Sequence, residues 1–234
     1  MAILNKFFRE QFETMAIAGE QVLECYRVLE KSNSNIVAEV LRGEGTFYQL
    51  NHYPKGDVFD SETHSQYFYH SHREGEHGHF HTFLREDGMP KDCRPVKQSE
   101  APFMKERDDK ISHIIAISMN RAGFPVRMFT TNRWITADNW YKADDVIKML
   151  DRFEMDLSRP SWPVNIWLTA MLRLFRPQIM ELVRERDAKV AHWGKEHPDT
   201  DAFEDRGCDI TSVRKISVAA QIRRVNRALM SAVA

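Results

Sequence analysis

Apolar positions at the start of the chain recur at steps of three and four. Leu4, Phe7, Phe8, Phe12, Met15, Val22, Leu23, Tyr26 and Leu29 follow a 3.6-residue repeat, which predicts one amphipathic helix. The polar run Ser32-Asn33-Ser34-Asn35 stops it. From about residue 44 to 134 the pattern changes to short apolar or alternating runs separated by turn residues. Thr46 to Tyr53, Gln66 to His72, His77 to Leu84, Ile111 to Met119 and Val126 to Arg133 are the expected strands. Pro54 to Thr63 reads as a loop, and Glu86 to Lys110 as a long irregular segment with the length of a lid or binding loop. The rest reads as helical: Trp140 to Phe153, a helix opened by Trp162-Pro163 and restarted at Pro177, and Val213 to Leu229.

These elements predict an α+β fold in a single domain. An N-terminal helix (1–43) leads into a histidine-rich β core (44–134), followed by a helical C-terminal part (135–234). The core is expected to be a central antiparallel curved sheet or small barrel of about five strands.

The charges nearly cancel, 33 Lys+Arg against 34 Asp+Glu, which argues against a nucleic-acid surface. No apolar run is long and clean enough for a membrane span, since Asn165, Thr169 and Arg173 interrupt the most apolar stretch. Three scattered cysteines form neither a disulfide framework nor a metal motif, and no secretory signal is read, so a cytoplasmic location is expected. Glycine-rich phosphate loops, a GxSxG elbow and HExxH are absent.

Five of the ten histidines lie between His70 and His81. Two β-type flanks surround the turn Arg73-Glu74-Gly75-Glu76, so the segment reads as a hairpin. Its expected register sets His72 opposite His77, His70 opposite His79, and Phe68 opposite His81. Alternation then puts all five histidines on one face, with Tyr67, Tyr69, Ser71, Gly78, Phe80 and Thr82 on the other. Neutral imidazoles at cross-strand spacing suit Fe, Zn or Cu. The expected ligands are His70, His72, His77, His79 and His81. His113, read as sharing a face with Ile115 and Ile117, is a further candidate that a core role also explains. A histidine-rich, pH-responsive surface is the alternative for the whole cluster.

Glu76 is a candidate ligand or proton acceptor, or simply a solvated partner of Arg73. Arg127 and Arg133 are candidates to hold an anionic substrate. His52, His64, Asp57, Asp60 and Glu62 remain undecided.

His70-Ser71-His72 followed by Glu76 or His77 resembles the first metal motif of the cupins. That resemblance implies that His70 and His72 are ligands, that Glu76 or His77 is the third, and that His113 comes from a later strand. His64 stands where the cupin motif has glycine, and the later Pro-x-Gly pattern is absent. The stretches His70 to Leu84 and His113 to Trp134 also resemble a group of bacterial proteins with no assigned function. The expected function is a metal-dependent enzyme acting on a small molecule, with oxygen-dependent oxidoreductase chemistry slightly favoured over hydrolysis. A metal-handling or sensing protein and a heme protein are the alternatives. An oligomer is compatible with the sequence.

Overall fold

The computed structural model describes residues 8–73, 75–96 and 110–231. Leu4 and Phe7 of the first predicted helix, Glu74 of the hairpin turn, and residues 97–109 of the long irregular segment lie outside the described residues. A lid role for that segment is therefore without structural description.

Six strands form one curved, unclosed antiparallel sheet in sequential order. They are β1 (Tyr53–Phe59), β2 (Ser65–His70), β3 (Gly78–Arg85), β4 (Ile111–Met119), β5 (Pro125–Thr131) and β6 (Ile210–Lys215). The helices are α1 (Arg9–Lys31), α2 (Ile36–Val40), α3 (Arg133–Thr136), α4 (Ala143–Leu150), α5 (Trp162–Leu174), α6 (Arg176–Glu196) and α7 (Val218–Ser231). Helix α1 buries Phe12, Met15, Val22 and Leu29 of the predicted stripe, and Cys25 beside them, while Phe8 and Leu23 are exposed. Pro163 lies in the first turn of α5 and Pro177 in that of α6, positions where a missing N–H costs nothing. No described helix is long and apolar enough to cross a membrane.

One sheet face carries Tyr67, Tyr69, Phe80, Ile115, Ile117 and Met128, all in the main apolar core. Phe80 lies against Trp167 of α5, with ring centroids 5.7 Å apart, and Tyr67 Oη donates to Asn165 Oδ1 at 2.8 Å. Helix α6 packs on β5 and β6, where Ser212 Oγ donates to the Leu182 carbonyl at 2.8 Å. Tyrosine hydroxyls are tolerated in such a layer because each finds a partner.

Three elements differ from the sequence reading. The first strand runs from Tyr53 to Phe59, where a loop was expected, and Thr46 to Tyr53 is mostly irregular. It is an edge strand with an irregular register between Tyr53 and Val58, so Pro54 and the positive-φ residues Gly56 and Asp57 are accommodated. The predicted last strand stops at Thr131, because the Asn132 side chain caps α3 at the Arg133 N–H. The C-terminal part is not wholly helical. Residues 210–215 return as β6 on β5, and the final helix starts at Val218. The 3.6-residue stripe Val218, Ile222, Val225 and Leu229 belongs to this helix, and the sequence reading began the helix five residues early, over the end of the strand.

Candidate metal centre

Strands β2 and β3 pair as the hairpin reading requires. His70 opposes His79 and Phe68 opposes His81. Alternation puts His70, His79 and His81 on the face opposite the helices. Gly78, which begins β3, is needed for this pairing. A Cβ there would meet the His70 carbonyl and the Tyr69 ring at 2.6 Å.

The β2–β3 pairing ends at His70 and His79, so the expected His72–His77 pair does not form. His72 stays with the cluster, its ring centroid 4.8 Å from that of His70 and 5.1 Å from that of His79. His77 leaves it. Its ring stacks on Phe47, its Nδ1 lies 2.8 Å from Tyr69 Oη, and it lines an open cleft of about 510 Å³ with Gln49, Ser71 and Arg121. The turn explains the departure. Gly75 takes φ 78°, and the chain delivers Glu76, not His77, to the place beside His79.

His113 joins the cluster through a β-bulge. Thr82 pairs with Ile115 but Phe83 pairs with His113, so one extra residue, Ile114, sits in β4. The one-residue shift moves His113 off the face of Ile115 and Ile117, where alternation alone placed it. The His113 N–H donates to Asp138 Oδ2 at 2.8 Å, and its Nε2 lies 3.0 Å from His81 Nδ1.

The resulting array runs across three elements of the chain. His70 Nε2 and His79 Nε2 are 2.7 Å apart, and the ligand atoms of His70, His72 and His79 all lie within 4.8 Å of one another. His79, His81 and His113 expose 0%, 1% and 3% of their surface, whereas His72 is half-buried and marks the solvent side. Phe68, Phe83 and Phe129 wall the array. The His52 ring stacks on Phe68 at 3.6 Å, and its Nδ1 is held by Asp57 at 2.9 Å.

The Glu76 side chain is buried and uses both oxygens. Oε1 bonds His79 Nδ1, and Oε2 accepts from Arg127 at 2.9 Å, while Arg127 Nε donates to Ser118 Oγ at 3.0 Å. Its partner is therefore Arg127 and not Arg73, and it is not solvated. Burial works against its charge, but His79, Ser118 and Arg127 outweigh this and hold its carboxyl down at about 2. A carboxylate on Nδ1 fixes the His79 tautomer and leaves the Nε2 lone pair facing His70, the common support of a metal-bound histidine.

Burial, then the neighbouring rings, keeps the cluster neutral. His70 is pushed down to about 2 by burial, then by His79 and His72. His113 is pushed to about 3 by burial and the Arg186 charge. His81 falls well below its ordinary value for the first of these reasons, and His72 and His79 fall too, His79 against the pull of Glu76. Neutral imidazoles are the form that ligates a metal.

Arg133 is placed elsewhere. It begins α3, not a strand, and its buried guanidinium pairs with Glu204. A residue that the sequence reading named only as a partner for Glu76, Arg73, does border the array. Its guanidinium lies over Phe129, 5.2 Å from the ring centroid, and its Nη2 donates to Asp209 Oδ1 at 2.9 Å. Its adjacency to the His-x-His pair was the available signal.

Fold and site together define an α+β protein with a buried histidine cluster able to hold a metal ion. Residues 16–216 match the family described as a domain of unknown function, DUF6969, and the chain belongs to that family. No curated protein and no solved structure matches the chain.

Proposed function

We propose that this protein is a metal-dependent enzyme in which His70, His72 and His79 hold one transition-metal ion and leave a coordination position for a small molecule. The observation that carries the reading is the set of three ligand atoms within 4.8 Å of one another, one of them with its tautomer fixed by Glu76. The donor chemistry fits a metal: three imidazoles kept neutral by burial match Fe, Cu or Zn and not Mg or Ca. Imidazoles sharing an ion at about 2.0–2.1 Å sit slightly further apart than the 2.7 Å between His70 and His79, so the two rings part modestly on binding.

When bound, such an ion supplies Lewis acidity and, for iron or copper, access to oxygen chemistry. Oxygen-dependent oxidation of a small anionic substrate is our first assignment, and zinc-type hydration or hydrolysis the second. The chain's own groups do the rest. Glu76 orients His79, Arg127 and Ser118 hold Glu76, and Phe68 and Phe129 exclude water on two sides. Glu76 is thus a positioning residue in this reading, in place of the catalytic role its turn position suggested. Unpaired Cys25, Cys93 and Cys208 favour a cytoplasmic setting.

A second reading, a metal-handling protein with a filled site, is favoured by one observation. His81 packs 4.9 Å from His79 and 5.1 Å from His70, centroid to centroid, close enough to complete the set after a small shift.

The test is elemental analysis of protein purified without added metal, beside the His70→Ala/His72→Ala double variant. We expect about one transition-metal ion per folded chain and a much lower content in the variant, which keeps His79 as the last of the three ligands. Wild-type protein without metal, even after incubation with Fe(II), Zn(II) and Cu(II), contradicts both readings. An absorption spectrum of the same sample separates heme and copper from zinc.

A further inference from the structure

We propose that Arg73 is the anchor for the substrate, and that the substrate therefore carries a carboxylate or similar anion. The inference rests on the metal reading above and names the class of molecule that would reach the open position.

Three observations converge. First, Arg73 follows His72 directly, and its guanidinium lies over the same Phe129 ring that packs edge-on against His79. Phe129 thus has Arg73 on its face at 5.2 Å and the His79 ring at 5.2 Å. Second, Nε of Arg73 is buried and has no hydrogen-bond partner among the described residues, although Nη1 and Nη2 reach Asp209. A buried guanidinium N–H left open costs energy unless something accepts from it. Third, the charges near the site do not cancel once a dication is present. Ligating imidazoles bring no charge, Glu76 is matched by Arg127, and among the described residues Arg73 pairs with Asp209, which is half-exposed. A dication leaves a positive site, so an anion is favoured at its open position. Arginine presents a fixed fork suited to carboxylates.

The partner Asp209 supplies a way to separate anchoring from scaffolding. If the Arg73–Asp209 pair only ties the hairpin turn to the segment before β6, then Asp209→Asn should mimic Arg73→Gln. If Arg73 anchors an anion, then Asp209→Asn should leave anion binding intact or strengthen it, because it frees the guanidinium.

The experiment loads wild-type, Arg73→Gln, Arg73→Lys and Asp209→Asn proteins with Co(II). Cobalt stoichiometry is measured first, and the visible cobalt bands are then followed while acetate or oxalate is added, with neutral imidazole as a control ligand. We expect unchanged cobalt content in all four proteins. Carboxylate affinity should fall roughly tenfold or more in Arg73→Gln, fall less in Arg73→Lys, and hold or rise in Asp209→Asn, with imidazole affinity unaffected. Equal carboxylate affinity in wild type and Arg73→Gln overturns the assignment while leaving the metal reading standing. So does a parallel loss in Asp209→Asn. Wild-type protein that binds no cobalt removes the metal reading, and the anchor assignment with it.

Discussion

The two faces of strands β2, β3 and β4 are equally buried but filled differently. On the helix side, Tyr67, Tyr69, Phe80, Ile115 and Ile117 fill space with apolar surface, and the buried Tyr67 and Thr82 hydroxyls are satisfied by Asn165 and the Ile115 carbonyl. On the other side the same strands place His70, His79, His81 and His113 out of solvent, where burial disfavours the proton on each, against the pull of Glu76 at His79. A layer selected for stability alone would not bury four imidazoles and a carboxylate where apolar side chains fit. The helix face holds the fold, and the histidine face uses that rigidity to aim donor atoms.

Substitutions can break this contrast, and the largest effect is expected on the helix face. Phe80→Ala should cost about 3–5 kcal/mol of unfolding free energy in denaturant titrations, because a large cavity opens against Trp167. Glu76→Gln on the other face should cost less than Phe80→Ala, about 1.5–3 kcal/mol, because the charge-assisted bond to Arg127 is lost, and should weaken metal affinity roughly 10- to 100-fold in chelator competition. Equal metal affinity in that variant would remove Glu76 from its positioning role.

The acid response of metal-free protein sharpens the same point. Unfolded histidines take up protons near 6.5, whereas folded His70 and His113 refuse them until about 2 and about 3. Unfolded chains therefore bind more protons below 6.5, and stability falls as pH falls. Each of these two groups should remove up to about 1.4 kcal/mol per pH unit below 6.5, and nothing above it. Denaturation midpoints measured between pH 8 and 5 should be flat above 7 and drop steeply below 6.5. A flat profile down to pH 5 would mean that the rings are not held neutral. The smallest effect is expected at His77, which sits with Tyr69 on the other side of the hairpin. His77→Gln should change stability by about 1 kcal/mol or less and leave metal content unchanged.

Much of this was legible in the chain. Strict alternation around a four-residue turn gave the His70–His79 and Phe68–His81 pairs, and prolines at 163 and 177 marked two helix starts. What escaped the sequence has local physical causes. The bulge at Ile114 is invisible to a period-2 reading, and it alone decides that His113 faces His81. The turn twists Glu76 inward and His77 outward, an exchange set by Gly75 and by the Arg127–Ser118 pair waiting on neighbouring strands. Pairing of residues 210–215 with β5 depends on a partner about 80 positions away, as the Thr130–Thr211 and Thr130–Ser212 bonds show. No local pattern reports such contacts.

The most direct measurement of the central claim is X-ray absorption on the metal-loaded protein. The account predicts a shell of nitrogen scatterers at about 2.0–2.1 Å with the outer-shell signature of three imidazoles, reduced to one in His70→Ala/His72→Ala. A shell of sulfur or of oxygen alone, or an imidazole count untouched by that double substitution, would contradict it.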